Sequence, residues 1–217
     1  MTHADNPVDE TLLASLLCSR LCHDLLSPVG GMLNGVELLA AETEPAMRDQ
    51  CIDLLAQGAR RASAKLQFFR LAFGTAGGFG SHLPAADLQA AVDAVAAEAR
   101  DVTINWALAA TDFPKDAAKV LVNLALLAIE ALPRGGSVAI VAEASGNAHE
   151  IALRTEGQKV VFPAAIGQAL DGLIPVAELE AHTAPAMLIR LIVERNGGRL
   201  QHQHDGNTLL LGAVVGA

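Results

Sequence analysis

Two long stretches of helical periodicity, separated only by the turn Glu42-Thr-Glu-Pro45, constrain this chain more than any other feature. The first should begin near Val8–Thr11, where Asp9 and Glu10 suit the positive end of a helix, and run to about Ala41. Leu21, Leu25, Met32, Val36 and Leu39 form its apolar stripe. Pro28 lies inside it, so a kink is expected there, with the carbonyl of Asp24 losing its usual partner and Gly30-Gly31 softening the same region. The second stretch starts at Pro45, a residue suited to the first helical position, and continues to about Phe73. Met47, Cys51, Leu54, Gly58, Ala62, Leu66, Phe69 and Phe73 recur every three or four residues and predict its buried seam. So short a turn makes the two helices an antiparallel hairpin. One hairpin has too little partner surface to bury both seams. Two copies are therefore expected to complete a dimeric four-helix bundle.

Gly74 to Pro84 breaks this pattern with glycines and marks a boundary. The expected division is a helical hairpin over 8–74, a linker over 75–84 and a second domain over 85–217. Met1 to Pro7 reads as a frayed start. In the second domain, helices are predicted at Ala85–Arg100, Pro114–Leu132 and Thr183–Asn196, with short ones at Phe162–Leu170 and Val176–Ala181. Strands are predicted at Asp101–Ala109, Ser137–Ala144, Glu150–Thr155, Arg199–His204 and Thr208–Val215. Asp205-Gly-Asn207 is a hairpin signal between the last two. The whole is α+β: a helical hairpin followed by an α/β sandwich.

The net charge of −9 argues against nucleic acid and against an anionic membrane surface as partners. No uninterrupted apolar run reaches the roughly 18 residues that span a bilayer. Three cysteines, Cys18, Cys22 and Cys51, point to reduced thiols in a cytoplasm. They close no tetrahedral metal set and read as buried apolar thiols. His202 and His204 alternate onto one strand face, which by itself is a weak metal signal.

His23 is the chemically inviting residue. On a helix His23, Ser27, Gly30, Asn34 and Glu37 share one face, opposite the apolar stripe. Asp24 could hold or polarise the imidazole, although adjacent helical residues diverge by about 100°. Ser27 could bond a phosphoryl group, or equally its own helix near Pro28. Gly30, Gly31 and Asn34 could simply give a partner helix room. Arg60, Arg61, Lys65 and Arg70 form a basic run that is either a solvated face paired to Glu37 or Glu42, or a surface that steers an acidic partner.

The order of these parts resembles a sensor histidine kinase. His23-Asp-Leu-Leu-Ser-Pro28 is similar to the phosphoacceptor box of those enzymes, and Val120 to Gly136 lines up with the kinase helix that carries two asparagines. Asn123 matches the first; Leu127 stands where the family has the asparagine that holds magnesium. After the strand Ile151-Ala-Leu-Arg-Thr155, Thr155 replaces the adenine-gripping acid, Gly157 is kept, and Lys159 replaces the second glycine. Ala181-His-Thr-Ala-Pro-Ala186 has no glycine for a phosphate loop. Without the aspartate, the asparagine oxygen and the glycines, a nucleotide loses its main contacts.

A histidine box joined to such a degenerate domain resembles the bacterial histidine phosphotransferases of the ChpT type. Phe68-Phe-Arg-Leu-Ala-Phe-Gly74 is similar to them as well. That resemblance implies a cytoplasmic homodimer passing phosphate between receiver domains in the cell-cycle phosphorelay of alphaproteobacteria, with the receiver of a hybrid histidine kinase as donor. It implies His23 as phosphoacceptor, assisted by Asp24 and Ser27, and no cofactor of its own, since magnesium sits on the receiver. Arg20, Leu26, Gly30, Asn34, Arg60 and Arg61 are the expected docking residues. The alternatives are a histidine kinase with a divergent nucleotide site, and an adaptor that binds receivers without chemistry.

Overall fold

A computed structural model describes residues 9–74 and 81–216. The N-terminal residues expected to be frayed and the stretch 75–80 of the expected linker lie outside the described residues. The first helix, α1 (Glu10–Ala41), is opened by Asp9, whose carboxylate accepts from the Thr11 N–H at 2.9 Å. It is one continuous helix through Pro28, which is buried. Its end is defined by Glu42, whose carboxylate accepts from the N–H groups of Thr43 at 2.8 Å and Glu44 at 2.9 Å. These two bonds hold the Glu42 carboxyl below its ordinary range. Arg48 closes the turn by donating to the carbonyls of Leu39 and Glu42. Glu42 is thus spent on the turn and does not pair with the basic run.

The second helix, α2 (Pro45–Ala72), returns antiparallel along α1. The two approach closely at Gly58 and Gly35. A Cβ on Gly58 would lie 2.5 Å from Met32 Cγ and 3.3 Å from the Pro28 carbonyl oxygen, and one on Gly35 would lie 3.0 Å from Leu55 Cδ2. This seam is narrower than the periodicity predicts. Val36, Met47, Leu54 and Leu66, expected to be buried, are exposed within one chain. A hairpin has a single inter-helix seam, so apolar residues on the flanks of each helix find nothing to cover them. Leu26, Val29, Leu33, Leu38 and Ile52 are exposed for the same reason. Cys18 and Cys22, expected to be buried, are exposed on α1, and Cys51 is half-buried. A hydrogen bond with Cys18 is the main cause that raises the Cys22 thiol pKa. By length and composition α1 is the one described helix that could cross a membrane. The apolar-run criterion misses it because polar residues interrupt it, and its seam with α2 and its Arg20–Asp24 ion pair place it in the hairpin.

The second part contains a five-stranded sheet in the order β2-β4-β5-β7-β6, formed by Val102–Leu108, Gly136–Ser145, Ala148–Glu156, Thr208–Gly216 and Arg199–Asp205. Only the β2–β4 pair is parallel. Helices α3 (Ala85–Ala96), α4 (Lys115–Glu130), α5 (Ala164–Asp171) and α6 (Ala184–Arg195) pack on it, and Val176–Glu178 is a single 3-10 turn rather than a helix. Two strands, β1 (His82–Pro84) and β3 (Asp112–Pro114), pair antiparallel in a separate ribbon. Sequence pattern misses both, because segments this short show no alternation; burial of Leu83 and Phe113 is what fixes them.

The central helix α4 touches the sheet on one side and α2, α3 and α6 on others. That explains its apolar character all round: every residue from Ala117 to Ile129 except Lys119 is buried. Asn123, fully buried, donates from Nδ2 to the Ala72 carbonyl at 3.0 Å and the Lys119 carbonyl at 2.8 Å. The hairpin is thereby fastened to the sandwich at the last residue of α2.

Candidate functional site

His23 projects from the middle of α1 with 83% of its side chain exposed. Despite the angular divergence of neighbouring helical residues, Asp24 Oδ1 reaches His23 Nδ1 at 3.2 Å. Asp24 is itself only 15% exposed, and its other oxygen accepts from Arg20 Nε at 3.0 Å, one turn earlier. Arg20, 11% exposed, also donates to the carboxylate of Glu130, the last residue of α4. Burial opposes the Arg20 charge, but Glu130 and Asp24 more than offset it and raise its pKa. Burial pushes the Glu130 carboxyl up; Arg20 opposes this, Asp24 adds to it and Lys65 opposes it. A carboxylate only accepts, so contact with Asp24 puts the imidazole proton on Nδ1. The Nε2 lone pair is then left to act as nucleophile on the exposed side of the ring.

Leu26, Ser27, Gly30 and Asn34 lie with His23 along the outer part of α1; Leu26 is 69% exposed, and a Cβ on Gly30 would meet nothing within 4 Å. Ser27, exposed, lines a cleft of about 480 Å³ together with Gly31, Gln57, Arg61, Lys65 and Glu98. Arg61 pairs with Glu98, just beyond α3, at 2.9 Å, while Arg60 is exposed. Arg20, expected among the docking residues, is instead turned inward beneath the histidine. Glu130 has no signal in the sequence: its contact with Arg20 spans 110 positions.

Of the positions that resemble the nucleotide-binding ones of kinases, Lys159 is exposed. Leu127 and Thr155 are buried, and the Thr155 hydroxyl has no hydrogen-bond partner. A cavity of about 120 Å³ lies against Leu127, Ala131, Phe162, Ile166 and His182, well below the roughly 300–1,000 Å³ of small-molecule sites. Thr183 closes the turn before α6 by bonding the backbone of Glu180 in both directions, at 3.0 Å each. His202 pairs with Asp171 at 3.1 Å and packs with His204 around Phe162.

The family model of the histidine phosphotransferase C-terminal domain matches residues 85–208. The chain belongs to that family. It is also 35% identical over 189 residues to protein phosphotransferase ChpT of Brucella abortus (strain 2308), covering 87% of this chain and 88% of that relative. The solved structure of a bacterial phosphotransferase superposes with a TM-score of 0.82 at 30% identity, over 95% of this chain and 98% of the other. The α+β fold expected from the sequence is therefore that of the phosphotransferases. The protein is a histidine phosphotransferase of two-component signalling, and neither the autonomous kinase nor the inert adaptor is favoured.

Proposed function

We propose that His23 carries the phosphoryl group and passes it between receiver-domain aspartates. The observation that supports this most directly is an exposed imidazole whose Nδ1 is engaged by Asp24, leaving Nε2 facing outward. Nε2 attacks the aspartyl-phosphate of a donor receiver in line. The N–P bond forms as the acyl-phosphate P–O bond breaks, and the donor aspartate leaves as a carboxylate. Attack by an acceptor aspartate on phospho-His23 reverses the exchange. Asp24 stabilises the positive charge that develops on the ring. Ser27, one turn away on the same face, is suited to bond a phosphoryl oxygen.

Neither metal nor nucleotide is needed from this chain; the magnesium belongs to the receiver. The replacement of the nucleotide-binding residues by Leu127, Thr155 and Lys159, and the small cavity against Leu127, support transfer without ATP. The donor in this reading is the receiver of a hybrid histidine kinase. Leu26, Gly30, Asn34, Arg60 and Arg61 form the docking surface. Exposed Val29, Leu33, Val36, Leu38 and Ile52 support pairing of two hairpins into a homodimeric four-helix bundle. A cytoplasmic place in a cell-cycle phosphorelay completes the reading, supported by the resemblance to ChpT-type proteins.

The test is phosphate uptake from a purified receiver domain charged with acetyl phosphate. His23→Ala should abolish uptake while leaving folding and oligomeric state intact; normal uptake by that variant would sink the assignment. Incubation with labelled ATP should leave the protein unlabelled.

A further inference from the structure

Glu130 belongs to the sandwich, yet its carboxylate is part of the histidine site. It ends α4, a helix embedded among the sheet, α2, α3 and α6 and tied to α2 through Asn123. Its backbone therefore sits at the end of a helix held by packing on several sides. From there it meets the guanidinium of Arg20, which bonds Asp24 through Nε, and Asp24 in turn contacts His23 Nδ1. The middle of this chain of contacts is the most enclosed: Arg20 is 11% and Asp24 15% exposed, between Glu130 at 38% and His23 at 83%. Lys65 on α2 acts on Glu130 as a second, weaker positive influence.

We infer that Glu130 is a positioning residue for phosphoryl transfer, acting on His23 through Arg20 and Asp24. This rests on His23 being the phosphoacceptor. An exposed imidazole otherwise turns freely among its rotamers and presents either nitrogen. Asp24 can select Nδ1–H only if one of its oxygens is kept toward the ring. Arg20 does this by occupying the other oxygen. Arg20 would follow its charge outward to water if Asp24 were its sole partner, because a nearly buried guanidinium needs more than one acceptor. Glu130 supplies the second acceptor and fixes the guanidinium from the opposite side, as carboxylates fix metal-binding histidines through their free nitrogen. A sandwich without the nucleotide-binding residues of the kinases thus still has a part in the chemistry: it is the post against which the nucleophile is aligned.

The full-length protein carrying Glu130→Gln, Glu130→Asp or Arg20→Gln is compared with the unaltered protein in two measurements. The first is the ring nitrogen NMR spectrum of His23, which reports the tautomer. The second is transfer from a receiver domain charged with acetyl phosphate, resolved into kcat and KM. Glu130→Gln and Arg20→Gln should shift the neutral ring toward Nε2–H and lower kcat about tenfold, with KM changed less than about twofold. Glu130→Asp should recover part of both effects. A native ring spectrum and native kcat in Glu130→Gln, even with a lowered Tm, would overturn the inference, as would a loss confined to KM. Uptake of phosphate by His23→Ala would instead overturn the phosphoacceptor assignment, while the ring spectrum would still report whether Glu130 sets the tautomer.

Discussion

Asn123→Ala separates two roles for the asparagine that matches the first of the kinase pair. If it is a remnant of a metal or nucleotide site, its removal should leave the fold unchanged. The structure makes it a fastener. Ala72 ends α2, so its carbonyl has no partner within the helix, and it is fully buried. Asn123 Nδ2 supplies that partner at 3.0 Å. Lys119, by contrast, lies four residues earlier in α4 and keeps its helical bond when the side-chain bond at 2.8 Å is removed. The loss is therefore about 1–3 kcal/mol, the cost of stranding the Ala72 carbonyl in the core. For a chain of this size each kcal/mol shifts Tm by about 2–4 °C, so a fall of about 2–12 °C is expected. Urea unfolding followed by circular dichroism, with and without magnesium and ATP, measures it. A loss below about 0.5 kcal/mol, or one restored by magnesium and nucleotide, would refute the reasoning.

Gly58→Val should destabilise the hairpin by about 2 kcal/mol, because the new side chain meets Met32 and the Pro28 carbonyl oxygen; thermal unfolding checks it. If two hairpins pair as proposed, Leu33→Glu should give a monomer in light scattering without loss of helicity, since Leu33 is exposed on the flank of α1 within one chain; an unchanged oligomeric state would count against that pairing. Burial alone would raise the Asp116 carboxyl, but hydrogen bonds from Asn196 and Arg195 more than offset it and hold its pKa below the ordinary value. A depressed carboxylate contributes stability above its unfolded pKa and loses it as pH falls through the folded one. Asp116→Asn should therefore reduce stability by about 0.5–1 kcal/mol at pH 7, and by progressively less below about pH 4, in urea titrations at each pH.

Periodicity was enough to find both long helices and the turn between them, because a helix of that length repeats its pattern many times. It was not enough to say which flank of each helix is covered. Gly58 and Phe69 are buried as their spacing implies, but Leu54 and Leu66 on the same predicted seam are not; Leu55 is the residue packed against Gly35. Which residues face a neighbour depends on where two backbones approach, and that is set by Gly35, Gly58 and Pro28 together. The ribbon of β1 and β3 was invisible because its strands are too short to carry a pattern.

The histidine site divides in the same way. His23 with Asp24, Ser27 and Pro28, and the substitutions at Leu127, Thr155 and Lys159, are local features, and the sequence by itself determined the family and the place to look. Only the tertiary structure decided that Asp24 reaches the ring, that Arg20 turns inward, and that Glu130 from the far half of the chain meets it. The reason is physical: a spacing rule describes residues on one helix, whereas the position of a nearly buried guanidinium is decided by the nearest carboxylates in space, wherever in the chain they originate.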